Sequence, residues 1–257
     1  MKDTKIVLLT SNGEWGNIMY TYLQKNYTLI GVVLDSAPRG WAMKMIKRRI
    51  KKLGILKVFL QIIFQKGFVP LLNLEAKTRK NEILSELKIK SLSNYNDLYL
   101  PSSINDSLVI DHVNNLQPDV IMVCGTGIIK KHIIDGLKAP MINIHAGITP
   151  KYRGVHGGYW ALANNDAKNC GVTVHLIDPG IDTGGVISQR TIIPNKNDNF
   201  CTYPFLQLLE GLHCVNEAIL AIETNNLKIK PRVSESKLYY HPTITTYLYH
   251  RIFNKIK

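Results

Sequence analysis

Asn143 and His145 stand two residues apart in Met141-Ile-Asn-Ile-His145, so on a strand both side chains leave the same face. A later segment, Gly171-Val-Thr-Val-His-Leu-Ile-Asp178-Pro-Gly180-Ile-Asp182-Thr-Gly-Gly185, sets two carboxylates among glycines just past a second strand. Such a loop can approach a ligand closely. An amide, an imidazole and a carboxylate in one cleft suit acyl transfer. The amide can donate to a developing oxyanion, the imidazole can donate or shuttle a proton, and the carboxylate can orient or deprotonate. The plain alternative for Asn143 and His145 is a satisfied pair of polar core groups. His175 and Asp178 would suggest a metal, but no third ligand has suitable spacing, so no metal is expected. His156, in a Gly-rich loop after Arg153, is open between a structural and a substrate-facing role. His112, His132, His213, His241 and His250 lack context and are expected on surfaces.

The elements that must position these groups read as an α/β chain. Lys5–Thr10 and Leu29–Leu34 are strand candidates around a helical stretch at Asn17–Lys25, the opening of a parallel sheet. The intervening loop, Gly13-Glu-Trp-Gly16, lacks the G-x-G-x-x-G spacing of a dinucleotide site. The helix start there, with Asn12 and Gly13, still offers backbone N–H groups to a phosphate. After an excursion at 36–100 the pattern resumes with helices at Asp106–Leu116 and Ile128–Leu137. Strands are expected at Val120–Cys124, Met141–His145, Gly171–Ile177 and Gly185–Ile193, and a final amphipathic helix at Cys201–Ile222. The fold expected is a Rossmann-like, mostly parallel sheet with helices on both faces. Residues 1–226 would form the catalytic domain and 227–257 a short basic extension.

The chain has 257 residues, 45% apolar and 20% charged, which excludes disorder, collagen and a multi-span membrane protein. The four cysteines form no C-x-x-C pair, so neither a disulfide framework nor a zinc ribbon is expected, and a reducing cytoplasm is the plain compartment. The apolar run Ile6–Leu9 is too short for a signal peptide. The longest apolar run, Leu53–Leu72, is interrupted by Lys57 and Lys66, which disfavours a spanning helix.

The net charge of +13 is concentrated in two places. Ala42–Lys57 holds seven basic residues and no acid; Lys228–Lys257 holds seven, Arg232 among them, against Glu235. The remainder is neutral, with 18 residues of each sign. Met43, Ile46, Ile50 and Leu53 recur at helical spacing between the cations of the first segment, and the apolar run beyond is expected to close at Gly67 and Pro70. Basic amphipathic helices of this kind suit peripheral contact with an anionic membrane, and a solvated basic face over a packed apolar side is the alternative.

Taken together, N-x-H, a proline-ended loop, Tyr152-Arg-Gly154 and G-x-T-x-H-x-x-D-x-G-x-D-x-G resemble the formyltransferases that use 10-formyltetrahydrofolate, over about Val120–Ile193. The resemblance implies a catalytic trio of Asn143, His145 and Asp182. It also implies a folate site formed by Cys124, Gly125, Thr126, Gly127 and Ile128, by Gly147, Ile148, Thr149 and Pro150, and by Asp178, Gly180 and Ile181. Where the family more commonly carries Ser-Leu-Leu-Pro, this chain reads Gly-Ile-Thr-Pro. Asn12, Gly13, Tyr152, Arg153 and His156 are the substrate candidates. The short extension and Tyr152-Arg-Gly154 look most like the sugar N-formyltransferases, which act on nucleotide-linked amino sugars for lipopolysaccharide or related glycans. Glycinamide ribonucleotide and methionyl-tRNA are the alternative acceptors, and a non-catalytic membrane- or RNA-binding module is the alternative of another class. With the cysteine usage and the two basic segments, the expectation is a cytoplasmic enzyme, possible as a homodimer and possible at the inner face of the membrane, with nucleic acid not expected as a partner.

Overall fold

The computed structural model describes residues 2–36, 40–231 and 235–257. Arg232, one of the tail cations, lies outside them. β1 (Lys2–Ser11) carries the fully buried run Ile6-Val-Leu-Leu9. It pairs in parallel with a strand on each side, and a strand covered on both faces needs no polar alternation. α1 (Glu14–Asn26) and β2 (Tyr27–Asp35) complete the opening unit. Three helices follow: α2 (Trp41–Leu53), α3 (Ile55–Ile63) and α4 (Val69–Leu84). Gly54, at φ +86°, separates α2 from α3, so the basic helix ends at Leu53, the last residue of its periodicity. Gly67 and Pro70 do not close the apolar run. A wider turn over Phe64–Phe68, with Val69 N donating to Phe64 O, carries the helix past them into α4.

β3 (Leu98–Tyr99), α5 (Leu108–Asn115), β4 (Val120–Cys124), α6 (Lys131–Gly136) and β5 (Met141–His145) follow. Next come β6 (Arg153–Gly154), α7 (Gly157–Ala163), β7 (Gly171–Leu176) and β8 (Val186–Thr191). The chain closes with α8 (Tyr203–Glu223), β9 (Leu238–Tyr239) and α9 (Ile244–Phe253). The seven-stranded sheet runs β3-β2-β1-β4-β5-β7-β8, parallel as far as β5 and antiparallel beyond it. The α/β expectation therefore stands.

One core lies where α1 and α8 cover the sheet, with Ile18, Leu23, Leu212 and Ile219 against Leu8, Met122, Ile142 and Val174. A second layer on the opposite face joins α5 and α6 to Val7, Leu9 and Ile121. A third cluster is aromatic: Phe64, Tyr159, Phe200 and Tyr247 are buried together. It ties the α3–α4 run, α7 and α9 to one another. The tail accordingly folds back onto the body. β9 pairs in parallel with β6, and Tyr247 is fully buried. Among the described residues, two helical runs could cross a membrane by length and composition alone, Ile55–Leu84 and Tyr203–Glu223, where the sequence disfavours a spanning helix. The second supplies buried core residues along its length.

Candidate active site

The register of β5 against β7 sets Asn143 opposite His175. His175 Nδ1 lies 2.7 Å from the Leu176 carbonyl, so that nitrogen carries the proton and donates. Its Nε2 is then bare and accepts from Asn143 Nδ2 at 3.2 Å. This fixes which way the Asn143 amide faces, and its second N–H remains for another acceptor. Burial, the largest influence, holds the His175 imidazole below its ordinary range, opposed by the bond to the Leu176 carbonyl. His175 is therefore a neutral positioning group.

Asp182 takes a left-handed backbone conformation (φ 51°), and its Oδ2 accepts from Gly154 N at 2.9 Å. The other oxygen sits 3.5 Å from His145 Nδ1 and 3.9 Å from His175 Nε2. His145 itself is buried, with Nε2 2.9 Å from the Tyr152 carbonyl. A ring with its proton on Nε2 donates to Tyr152 and leaves Nδ1 bare; a proton arriving at Nδ1 would be held by Asp182. Gly147 makes this packing possible, because a Cβ there would run into the Tyr152 carbonyl and His145 Nε2.

A cavity of about 150 Å3 opens on this centre, walled by Asn143, His175 and Asp182. Its remaining walls are Val123 and two loops, Thr126–Ile129 and Ile177–Ile181, which bring Thr126, Gly127, Ile128, Asp178, Gly180 and Ile181 around one cavity. Cys124 and Gly125 stand behind the first loop, and burial pushes the Cys124 thiol up to about 12. Asp178 shapes the second loop, accepting from Gly180 N and Thr183 Oγ. His145 is not part of the wall: Tyr152 O occupies the N–H that was expected to point beside Asn143.

Ile148, Thr149 and Pro150 line a different cavity, of about 680 Å3, together with Gln189, Lys168 and Lys230. Asp182 is the residue common to both linings. The substrate candidates scatter. Asn12 and Gly13 are exposed at the end of β1, beside the Ser11 hydroxyl that donates to Gly125 O. The Tyr152 ring is buried, its hydroxyl donating to Asp166. Arg153 donates to the Ile181 carbonyl at 2.9 Å, clamping the Asp178–Asp182 loop. His156 faces inward instead of toward substrate. Its Nε2 lies 2.9 Å from His241 Nδ1, and its ring packs on Phe200. His241, half-buried against His156, is not the surface histidine anticipated; burial and His241 push His156 down to about 3, and burial and Arg49 push His241 down to about 4.

Three positioning residues escape a reading of spacing. Asp35, at the end of β2, accepts from Gly127 N at 2.8 Å and from Ile104 N, fixing the first loop. Thr173 Oγ1 donates to Gly147 O and accepts from Thr149 N, fixing the chain beyond His145. His175 orients Asn143. The alternation of Thr173 and His175 on one strand face was the available signal for two of them; Asp35 lies too far away in sequence to give one. Among the described residues no cluster of three His, Cys, Asp or Glu could hold a metal.

Comparison with known proteins fits this construction. Residues 71–200 match the family described as formyl transferase. A methionyl-tRNA formyltransferase of Finegoldia magna is 41% identical over 118 residues, 46% of this chain and 35% of that protein. The chain thus spans about a third of the length of that curated relative, and about half of the next. In fold it is similar to an N-formyltransferase from Helicobacter canadensis in complex with folinic acid and dTDP-3-aminofucose (TM-score 0.56, 18% identity, 92% of this chain and 70% of that one). It is likewise similar to glycinamide ribonucleotide transformylase 1 from Symbiobacterium toebii (TM-score 0.57, 16% identity, 93% and 95%). The matched residues run through both loops and both strands that build the cavity, and the chain belongs to the formyl transferase family.

Proposed function

We propose that this chain transfers the formyl group of 10-formyltetrahydrofolate to the amine of a nucleotide-linked amino sugar. The observation that carries the proposal is the convergence of Asn143, oriented by His175, with Asp182 on one cavity wall. The cavity suits the flat ring of a folate. Val123, Ile128, Ile129 and Ile177 supply apolar walls, and the peptide groups of the two loops supply polar edges. The formyl carbon would then lie against the polar wall.

The free N–H of Asn143 donates to the formyl oxygen as the amine adds to the carbon and negative charge develops there. Asp182 takes the proton that the attacking amine sheds and passes it by way of His145 Nδ1 or water. The new C–N bond stays, the bond from carbon to the folate nitrogen breaks, and that nitrogen leaves with a proton. Arg153 holds the Asp182 loop in place through Ile181. Asn12 and Gly13, at the strand edge beside Gly125, are the proposed contacts of the acceptor's phosphates. The amine must arrive neutral, so the rate rises with pH until the amine is deprotonated.

The nucleotide sugar bound by the Helicobacter canadensis enzyme supports this acceptor. Charged tRNA is the second reading, favoured by the sequence identity to the Finegoldia magna protein. The test is to offer the protein 10-formyltetrahydrofolate with a dTDP-linked amino sugar, glycinamide ribonucleotide or methionyl-tRNA. Each product is then weighed for one added formyl group. Formylation of the amino sugar is expected. Preferential formylation of methionyl-tRNA replaces the acceptor assignment, and no transfer to any of the three rejects it along with the enzyme reading.

A further inference from the structure

We infer that the chain docks on the surface of an anionic lipid bilayer through α2, α3 and the start of α4. This goes beyond the formyl-transfer reading and does not depend on it. Ile55, Leu56, Phe59, Ile63, Leu71 and Leu74 are each between 39 and 72% exposed. Their spacing puts them on one outward ridge, about 28 Å long at the helical rise. Val58, Gln61, Phe64, Leu72 and Ala76 on the opposite face are buried against the body. The Gln61 amide is held from both sides, by Arg49 Nη2 and by the His241 carbonyl. A helix pinned in this way along one face cannot thread through a bilayer, but it can lie along the headgroup boundary with its free face down.

The cations favour the same partner. Lys44, Lys47, Arg48, Lys51, Lys52, Lys57 and Lys66 are all exposed, and no acidic residue occurs between Asp35 and Glu75. Ile46, Ile50 and Leu53 are half-buried while Trp41 and Met43 are exposed, so the later turns of α2 face the body with their apolar side and the charged side outward. A second copy of the chain would bring the same positive charge to the ridge. A polyanion such as RNA would engage the cations and leave the ridge in water. A bilayer carrying phosphatidylglycerol satisfies both at once. α9, whose Tyr247 ring packs on Phe64 and Phe68, adds Tyr249, Ile252 and Phe253 to the exposed apolar surface nearby.

The test is sedimentation with vesicles of phosphatidylcholine alone or mixed with phosphatidylglycerol, at low and high salt. Two variants accompany the wild type: Phe59→Ser with Ile63→Ser, and Lys47, Arg48, Lys51 and Lys52 changed together to Gln. The wild type is expected to sediment with the anionic vesicles at low salt and to be released by high salt. Each cation near the surface strengthens partitioning by about fivefold. The four-charge variant should therefore lose at least tenfold and the ridge variant a comparable amount, with melting temperatures unchanged. Three results overturn the inference: no binding to anionic vesicles, binding indifferent to the ridge variant, or a dimer broken by the ridge variant in a protein that ignores vesicles. A shift of bulk RNA that depends on the four cations, with no vesicle binding, overturns it in favour of RNA.

Discussion

The wall of the β5–β7 cavity and the outer face of α3 are opposites in how they meet water. At the wall and just behind it, polar groups are buried or half-buried and nearly every one has a partner: Asn143 on His175, His175 on Leu176, Asp182 on Gly154 and, behind the wall, His145 on Tyr152. On α3, large apolar groups stand in solvent beside cations. Burying a polar group without a partner costs several kcal/mol, so the first arrangement persists only because each contact is made. Exposing an apolar ridge forgoes about 25 cal/mol per Å2 of burial, a loss without return for the isolated chain. On the two proposals made above, the regions answer to different ligands. One is organised inside the protein, and the other is left for something outside it.

Breaking the inner side of the helical region should give the largest loss of stability. Phe64 is fully buried with Phe200 and Tyr247 at 5.0 and 4.9 Å, so Phe64→Ala should cost about 3–5 kcal/mol in urea unfolding. A loss under about 1 kcal/mol would mean that the helices are not fastened to the body as described.

The histidine pair beneath these helices offers a gentler lever. Both His156 and His241 titrate well below an unfolded histidine, at about 3 and about 4. The unfolded chain therefore binds more protons between those values and the ordinary range near 6.5, and stability is lost as pH falls through that window. The slope is about 1.4 kcal/mol per histidine per pH unit while the folded rings stay neutral. Thermal melts from neutral pH down to about pH 4.5 should show it, and His241→Asn should flatten the curve. A melting temperature indifferent to pH in wild type would contradict the enclosed pair.

The outward cations of α2 should matter least to stability. Changing Lys47, Arg48 and Lys51 to Gln should move stability by less than about 0.5 kcal/mol per site, and Lys52, whose Nζ lies 5.5 Å from the Tyr240 ring centre, by no more than about 1 kcal/mol. Larger destabilisation by calorimetry would show that those cations serve the fold.

Most of the sheet was legible because parallel strands covered on both faces read as unbroken apolar runs, as in Ile6–Leu9 and Val120–Cys124. The place of Asn143 could be anticipated because strand ends gather at one edge of such a sheet, whereas Asp182 and the loop at Thr126 were joined to it by the family resemblance. Proximity did not give orientation. Whether His145 points into the cavity depends on the Tyr152 carbonyl, seven residues on and outside any spacing rule. Pro70 and Gly67 read as a stop, yet packing of Phe64, Phe68 and Leu72 outweighs local propensity and carries the helix through. The tail read as an appendage because the β6–β9 pairing joins Arg153 to Leu238, a contact with no local signature.

The proposed role of the Asn143 amide, oriented by His175, is to stabilise the oxyanion of formyl transfer. The most direct measurement is a double-mutant cycle on the transfer rate at saturating donor and acceptor, using Asn143→Ala, His175→Phe and the pair. Asn143→Ala should fold normally and lose about a hundred- to a thousandfold in rate. His175→Phe should lose rate in the wild-type background and little more once Asn143 is gone, because it acts through that amide. Near wild-type turnover by Asn143→Ala, or losses that simply multiply in the double variant, would contradict the account.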